Sequence, residues 1–305
     1  MGKWHFVTLF SVILALGLLF FLNNYKGYDE LISPMLKQEK VLGINQWFPK
    51  DILDSQETAP KITAKSAIFL DSKDGTILYS KNINEKLPIA SLAKVMTVLI
   101  SLEHKKMEDD FTISKRATEM EPDEMILLPE ETLTLKELLY GIFLVSANDA
   151  AEVLAESVTG NRDEFIKLMN KKAKQLGMEN SYFANPTGLD EDDNNSFSNA
   201  YDLAILARFL IHHYPEVVEI SKTPYIFIPE TESHQSYEMW SGINLLTTYP
   251  GVVGFKTGYT PDAGLTLITL ARIDGHEVIG VLLGSEARRD EARELLDYSF
   301  KKLRV

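Results

Sequence analysis

Short runs of alternating and apolar residues mark both ends of the region that begins near residue 62. SAIFLD and TILYS flank the turn sequence SKDG, and this pattern predicts a β-hairpin. Near the C-terminus, GLTLITLARI and EVIGVLLG flank Asp274-Gly275, a pair typical of two-residue hairpin turns. YIFIP, from Tyr225, and VVGFKTGYT, from Val252, predict two further strands.

Helical periodicity occupies most of the sequence between these strands and returns at the C-terminus. The apolar positions predict helices over residues 89–102, 135–143, 149–158, 162–176, 199–213 and 288–303. Strands at both ends with helices between them predict an α+β fold. In such a fold the first and last strands can pair in one sheet while helices cover its faces.

The N-terminus has a different pattern, because FVTLFSVILALGLLFFL at residues 6–22 is apolar and uncharged. Its length is at the lower limit for a membrane-spanning helix, and no small-residue cleavage site follows it. We expect an uncleaved transmembrane anchor after a short cytoplasmic segment, residues 1–5. Residues 23–61 are predicted as a juxtamembrane linker and residues 62–305 as an extracytoplasmic domain. The alternative is a cleaved signal segment and a secreted protein.

Composition narrows the possible functions. The 305 residues are 45% hydrophobic, which is enough for a substantial core. The net charge of −13 argues against a nucleic-acid partner, because such proteins need a basic surface. The chain has no cysteine, so disulfides and thiol nucleophiles are excluded. No H-E-x-x-H or similar spacing occurs, and we expect neither a metal nor a cofactor.

The first candidate for chemistry lies in PIASLAKVM, where Ser91 and Lys94 interrupt an apolar run. On a helix their spacing directs both side chains the same way. A serine hydroxyl needs a base to become nucleophilic, and lysine is a base only where burial or a nearby cation lowers its pKa. The S-x-x-K pattern is not specific, since Ser299 to Lys302 also matches it. A solvated polar stripe on the helix is the alternative.

Two later segments strengthen the chemical interpretation. SANDAA places Ser146 and Asn148 at a predicted helix break, where side chains can project into a cleft. FKTGYT places Lys256, Thr257 and Gly258 within a predicted strand, and glycine there indicates close approach of a ligand. An ammonium group beside a hydroxyl is a suitable site for a carboxylate. A solvated lysine near a strand end is the alternative.

In the order S-x-x-K, S-x-N and K-T-G, these motifs resemble those of the penicillin-binding, active-site-serine hydrolases, in which they meet in one cleft. The chain is most similar to low-molecular-mass D-alanyl-D-alanine carboxypeptidases, from about residue 62 to the C-terminus. NPTGLD and RRDEARELLDYSF also match that family. The resemblance implies a β-lactamase/transpeptidase-like fold, with an antiparallel sheet flanked by helices and a mainly helical subdomain.

The resemblance also implies a role for each residue of the first two motifs. Ser91 would attack the carbonyl of a terminal D-Ala-D-Ala bond and form an acyl-enzyme, with Lys94 as its general base. Ser146 and Asn148 would relay the proton toward the leaving amine and hold the substrate amide.

The K-T-G strand is implied to bind the end of the substrate. Lys256 would help to keep Lys94 neutral and, with Thr257 and Gly258, would bind the terminal carboxylate. Backbone N–H groups of Ser91 and Tyr259 are expected to form the oxyanion hole. Arg288 resembles a second carboxylate-binding residue, although an ordinary arginine on a helix surface is the alternative.

The implied function is removal of the terminal D-alanine from peptidoglycan stem pentapeptides, with β-lactams as covalent inhibitors. Three alternatives stay open at this point. A peptidoglycan DD-endopeptidase would use the same residues, and a non-catalytic penicillin sensor would share the fold. A β-lactamase fits less well, because Ala147 stands where S-D-N has aspartate and no E-x-x-L-N follows.

Two departures from the family pattern accompany the resemblance. Histidine is common where Thr187 stands in NPTGLD, and we expect this change to affect only loop detail. Many relatives continue into a β-rich domain and a membrane-binding helix, whereas this sequence ends soon after the last predicted helix. We therefore expect the N-terminal segment to provide membrane attachment. The acidic stretch EMEPDEMILLPEE, from Glu119, is interpreted as a solvated loop.

Overall fold

The computed structural model describes residues 48–52, 59–191 and 194–305. Its strands are β1 (Lys50–Ile52), β2 (Ser66–Asp71), β3 (Thr76–Lys81), β4 (Leu87–Pro88), β5 (Asp110–Thr112), β6 (Thr132–Thr134), β7 (Phe197–Ser198), β8 (Tyr225–Ile228), β9 (Tyr237–Trp240), β10 (Val252–Thr260), β11 (Gly264–Ile273) and β12 (His276–Ser285). Its α-helices are α1 (Lys94–His104), α2 (Leu135–Leu144), α3 (Asn148–Ser157), α4 (Arg162–Gln175), α5 (Ala200–His213), α6 (Glu216–Ser221), α7 (Leu245–Thr248) and α8 (Arg288–Leu303).

The main sheet has six strands in the order β1-β3-β2-β12-β11-β10. The sequence predicted that its first and last predicted strands pair, and this is confirmed. Strand β2 runs antiparallel to β12, with Ile68 opposite Val281. The predicted hairpin between β11 and β12 is also confirmed. Asp274 and Gly275 both have positive φ, 47° and 81°, as a type I′ turn requires.

Strand β1 was not predicted, because it lies within residues 23–61, the expected linker. It pairs parallel to β3 at the edge of the sheet, with Lys50 opposite Thr76. Three residues are too few to give a recognisable hydrophobic alternation, so only the pairing reveals the strand.

Helix boundaries follow the capping residues of the sequence. At the start of α2, the backbone N–H of Glu137 donates to Thr134 Oγ1, and the N–H of Thr134 donates to Glu137 Oε2. Asn199 caps α5 by accepting from the N–H of Asp202 at 2.7 Å. These local bonds explain why the sequence pattern located both helices to within a residue or two.

The predicted helix over residues 89–102 differs at its start. Ala90–Ala93 form a 3₁₀ turn, and α1 begins only at Lys94. Ala90 has a φ of 49°, which no helix interior allows. The sequence pattern missed this turn because its residues are as apolar as those of α1, which is buried from Lys94 to Leu102.

An apolar cluster lies between the sheet and α8. Phe69, Leu78 and Leu282 of the sheet pack with Leu295 and Leu296 of the helix. This packing fixes β10 and α8 relative to the rest of the sheet, and both elements contribute to the site described below.

The predicted anchor, residues 6–22, and residues 1–5 lie outside the described residues, as does most of the predicted linker. Among the residues that the structure describes, no helix combines the length and apolar character needed to cross a bilayer.

Candidate active site

Three elements bring the three motifs together. Ser91 lies in the 3₁₀ turn before α1, Ser146 lies between α2 and α3, and Lys256 lies in the middle of β10. Residues more than a hundred positions apart thereby come into hydrogen-bond contact, as Lys256 does with Ser146. The predicted meeting of the motifs is present in the structure.

Lys94 is the central residue of this cluster and has no exposed surface. Its Nζ lies 2.8 Å from Ser91 Oγ. It also donates to Asn148 Oδ1 at 2.6 Å and to the carbonyl oxygen of Thr187 at 2.8 Å. The last two partners are acceptors only. An uncharged amine, with two N–H groups and one lone pair, can donate to both and direct its lone pair at the Ser91 hydroxyl.

The surroundings favour that uncharged form. Burial lowers the pKa of Lys94 well below its ordinary value, and the positive charge of Lys256 lowers this pKa further. Asp123 and Asp149 act in the opposite direction on the same pKa. Desolvation has the largest effect, and a lowered pKa is the property that a lysine needs to act as a base.

Lys256 is a second buried lysine in the cluster. Its Nζ donates to Ser146 Oγ at 2.8 Å and to the carbonyl oxygen of Thr257 at 2.7 Å. Burial and the nearby Arg288 lower the pKa of Lys256 to about 7, against a raising effect of Asp123. Near neutral pH this ammonium group can therefore gain or lose its proton readily.

Gly258 lets strand β10 approach the nucleophile. A Cβ at this position would lie 2.6 Å from Thr266 Oγ1 and 2.9 Å from the backbone nitrogen of Ser91. Both distances are too short for a carbon atom, so only glycine fits without a shift of the strand or the turn. The glycine inside the predicted strand thus marks a close approach of the 3₁₀ turn to β10.

Ser146 lies at the break between α2 and α3 and has a φ of 63°. This left-handed conformation costs a non-glycine residue about 1–3 kcal/mol and persists only where the surroundings hold it. Asn148 follows as the first residue of α3 and is almost fully buried. The break therefore directs both polar side chains toward the two lysines, as the motif predicted.

Arg288, at the start of α8, is joined to the K-T-G strand. Its Nη1 donates to the carbonyl oxygen of Gly258 at 2.6 Å and to that of Thr266 at 3.3 Å. Arg288 and Thr257 line a small cavity, together with residues 242–245. Arg288 is therefore tied to the site rather than being an ordinary arginine on a helix surface.

Tyr259 follows the K-T-G motif on β10, and 61% of its surface is exposed. Ser91, in contrast, is buried. The proximity of the Ser91 nitrogen to Gly258 places the turn beside the backbone of this strand. The two predicted oxyanion-hole residues thus belong to adjoining backbone segments.

The loop that contains Thr187 has a larger role in the site than the sequence predicted. Its backbone carbonyl is the third partner of Lys94, and Thr97 Oγ1 donates to the carbonyl oxygen of Pro186 at 2.7 Å. Asn185 Oδ1 accepts from the backbone N–H groups of Thr187 and Gly188 and so fixes the loop. The side chain at position 187 is a loop detail, but its backbone belongs to the site. The only sequence signal was NPTG itself, a turn pattern.

The acidic stretch from Glu119 is also more than a solvated loop. Met125 and Leu127 are buried, and two consecutive carbonyl groups contact Asn148. Asn148 Nδ2 donates to Pro122 O, and the Asn148 backbone N–H donates to Asp123 O at 2.7 Å. The sequence did not predict these two contacts, because a residue of any type can supply a backbone carbonyl group as acceptor.

The second S-x-x-K match serves as a comparison within the chain. Ser299 Oγ donates to the carbonyl oxygen of Leu295 in α8, and Lys302 Nζ donates to that of Leu78. The two side chains have separate partners and form no reactive pair. Tertiary contacts, rather than spacing, distinguish Ser91 and Lys94. Within the described residues, no group of three or more histidine, aspartate or glutamate side chains could hold a metal ion.

A serine hydroxyl beside a buried lysine, with a second buried lysine bonded to the serine of S-x-N, is the arrangement of the active-site-serine, penicillin-binding class. The family model described as D-alanyl-D-alanine carboxypeptidase matches residues 54–287. The chain belongs to this family.

Individual relatives agree with this assignment. D-alanyl-D-alanine carboxypeptidase DacF of Bacillus subtilis is 37% identical over 247 residues, covering 78% of this chain and 62% of its own length. The chain thus spans less than two thirds of that curated relative. The crystal structure of D-alanyl-D-alanine carboxypeptidase from Mycobacterium tuberculosis H37Rv is similar, with a TM-score of 0.75, 29% identity, and coverage of 80% of this chain and 94% of that one.

Penicillin-Binding Protein D2 of Listeria monocytogenes, solved in an ampicillin-bound form, is a third relative. It has a TM-score of 0.69 and 30% identity, with coverage of 78% of this chain and 98% of that one. These likenesses confirm the predicted α+β, transpeptidase-like fold for the described domain.

Proposed function

We propose that this protein is a serine-type D-Ala-D-Ala carboxypeptidase that removes the terminal D-alanine of peptidoglycan stem pentapeptides. The observation that supports this most directly is the 2.8 Å separation of Lys94 Nζ and Ser91 Oγ. The other two hydrogen-bond partners of that amine are acceptors, so its lone pair is left for the hydroxyl. The family and its named carboxypeptidase relatives support the choice of substrate.

Acylation begins with proton transfer from Ser91 Oγ to Lys94 Nζ as Oγ attacks the carbonyl carbon of the penultimate D-alanine. The resulting oxyanion faces the N–H groups of Ser91 and Tyr259, which stabilise the developing charge. The C–N bond then breaks, and the proton that Lys94 took from Ser91 passes through Ser146 Oγ to the leaving amine of the terminal D-alanine, which returns Lys94 to its uncharged form; Lys256 contacts Ser146 Oγ. Water hydrolyses the Ser91 ester and releases the shortened peptide.

The substrate's terminal carboxylate binds on the K-T-G side of the site. Lys256 supplies an ammonium group and Thr257 a hydroxyl, while Arg288 adds a guanidinium beside the same strand. β-Lactams carry a carboxylate and a strained amide at a similar spacing, and they would acylate Ser91 in the same way. The ampicillin-bound relative supports this inhibitor class.

The test is release of free D-alanine from a synthetic pentapeptide ending in D-Ala-D-Ala by the purified protein. Mass spectrometry after mixing with a β-lactam should show one covalent adduct, located on the peptide that contains Ser91. A cross-linked muropeptide assayed in parallel distinguishes a DD-endopeptidase. Absence of both D-alanine release and the adduct would refute the proposal, and rapid turnover of the β-lactam would instead indicate a β-lactamase.

We also infer that residues 6–22 hold the protein at the bacterial membrane, with the catalytic domain outside. The uncharged apolar run supports this, and so does the location of the proposed substrate outside the cytoplasm. After cell fractionation, the protein should be in the membrane fraction and should retain its N-terminal residues. A soluble product that begins after residue 22 would contradict the anchor and indicate a cleaved signal segment.

A further inference from the structure

Asp149 follows Asn148 in α3 and is fully buried, yet neither the sequence motif nor the proposed reaction assigns it a role. Its described hydrogen bonds come from backbone N–H groups. Met125 N donates to both carboxylate oxygens at 3.1 and 3.0 Å, Leu127 N donates at 3.2 Å and Ala150 N at 2.8 Å. Two of these donors belong to the 121–127 loop, so the carboxylate holds that loop against α3.

The same loop contacts Asn148 from the other direction. Pro122 O accepts from Asn148 Nδ2, and Asp123 O accepts from the Asn148 backbone N–H. Asp123 and Ile126 have φ values of 56° and 64°, a region that non-glycine residues rarely occupy. Such conformations persist only where surrounding contacts hold them, and the bonds to Asp149 are contacts of that kind.

The orientation of the Asn148 amide determines whether Lys94 Nζ meets the acceptor atom Oδ1 or the donor atom Nδ2. With Nδ2 on Pro122 O, the Oδ1 atom faces Lys94 Nζ at 2.6 Å. A flipped amide would direct N–H groups at the amine, and the lone pair of Lys94 would turn toward them and away from Ser91. The loop carbonyl therefore selects the amide orientation that keeps Lys94 a base for Ser91.

We propose that Asp149 is a positioning residue for the acylation step, which acts by clamping the 121–127 loop that orients the Asn148 amide toward Lys94. This inference rests on the proposed function of the site. It assigns Asp149 no contact with substrate.

The charge of Asp149 gives a second, separable effect. The charges of Lys256 in β10, Asp123 in the loop and Asp149 in α3 all act on Lys94, and the two carboxylates oppose the lowering of its pKa. Glu124 and Tyr237 are further titratable groups that the charge of Asp149 reaches. Removing this negative charge should lower the pKa of Lys94 further. The rise of the acylation rate with increasing pH, here called the acid limb, should therefore move to lower pH.

The test is the rate of acylation by a fluorescent penicillin, measured against pH for wild type, Asp149→Asn and Asp149→Glu. Asp149→Asn should lower the plateau rate about tenfold to a hundredfold, because the Asn148 amide is no longer held in one orientation. It should also shift the acid limb to lower pH. Asp149→Glu keeps the charge but displaces the oxygens, so its plateau should fall while its acid limb stays near that of wild type.

Asp202→Asn is the matched control, because Asp202 is also buried and accepts from the N–H of Asn180 and from Ser181 Oγ, on a different helix. It should lower the melting temperature without changing the acylation rate or its acid limb. Wild-type rates in both Asp149 variants would overturn the proposal, and so would failure of both to fold while Asp202→Asn folds. Absence of acylation in wild type would instead refute the proposed function itself.

Discussion

Replacing Ser91 with alanine is expected to abolish both covalent labelling by β-lactams and release of D-alanine. Ser91 Oγ is the hydroxyl that lies 2.8 Å from Lys94 Nζ, and the proposed acyl-enzyme cannot form without it. The measurements are intact-protein mass spectrometry after mixing with a β-lactam and an assay of free D-alanine. The variant should remain folded, because the substitution removes one small polar atom beside a residue that keeps its other two partners.

Ser299→Ala is the matched control for this experiment. Ser299 also begins an S-x-x-K sequence and is also buried, but its hydroxyl donates within α8 to the carbonyl oxygen of Leu295. We expect full labelling and full D-alanine release from this variant. Adduct formation or D-alanine release that persists in Ser91→Ala would show that another group is the nucleophile.

The second large effect is expected for Lys94→Met, which replaces the amine with an apolar side chain of similar length. Loss of the general base should lower the acylation rate about 10³-fold. Ser91 would remain present and accessible, so a small residual rate is expected rather than none. Lys302→Met is the control in the other S-x-x-K sequence, and it should keep the wild-type acylation rate even if its bond to Leu78 O is lost.

The pH profile separates the two lysines in this experiment. In wild type, the acylation rate should rise with pH as Lys94 loses its proton. It should fall above pH about 7 as Lys256 loses the positive charge that binds the carboxylate. Lys94→Met should lose the rise at low pH and keep the fall at high pH. An unchanged acid limb in this variant would mean that the rise reports a group other than Lys94.

The local elements were largely predictable because their signals are local. Turn chemistry at Asp274-Gly275 predicted the last hairpin, and the two helices predicted from apolar positions at 135–143 and 199–213 begin where Thr134 and Asn199 cap them. The 3₁₀ turn at Ala90–Ala93 was not predictable, because its apolar residues continue the pattern of α1. Strand β1 was missed because its identity depends only on pairing with β3.

The sequence by itself determined which chemical groups are available: a serine and lysine at helical spacing, a serine and asparagine at a break, and a lysine beside threonine and glycine in a strand. Only the tertiary structure decided that these groups meet, and that the identical spacing at Ser299 and Lys302 produces no pair.

The physical reason lies in burial and in long-range contacts. The lowered pKa of Lys94 comes mainly from desolvation, which no run of neighbouring residues specifies. Two of its three hydrogen-bond partners are 54 and 93 positions away along the chain, and one of these is a backbone carbonyl that any residue type could provide. Residue identity supplies the reactive groups, and packing sets their protonation and orientation.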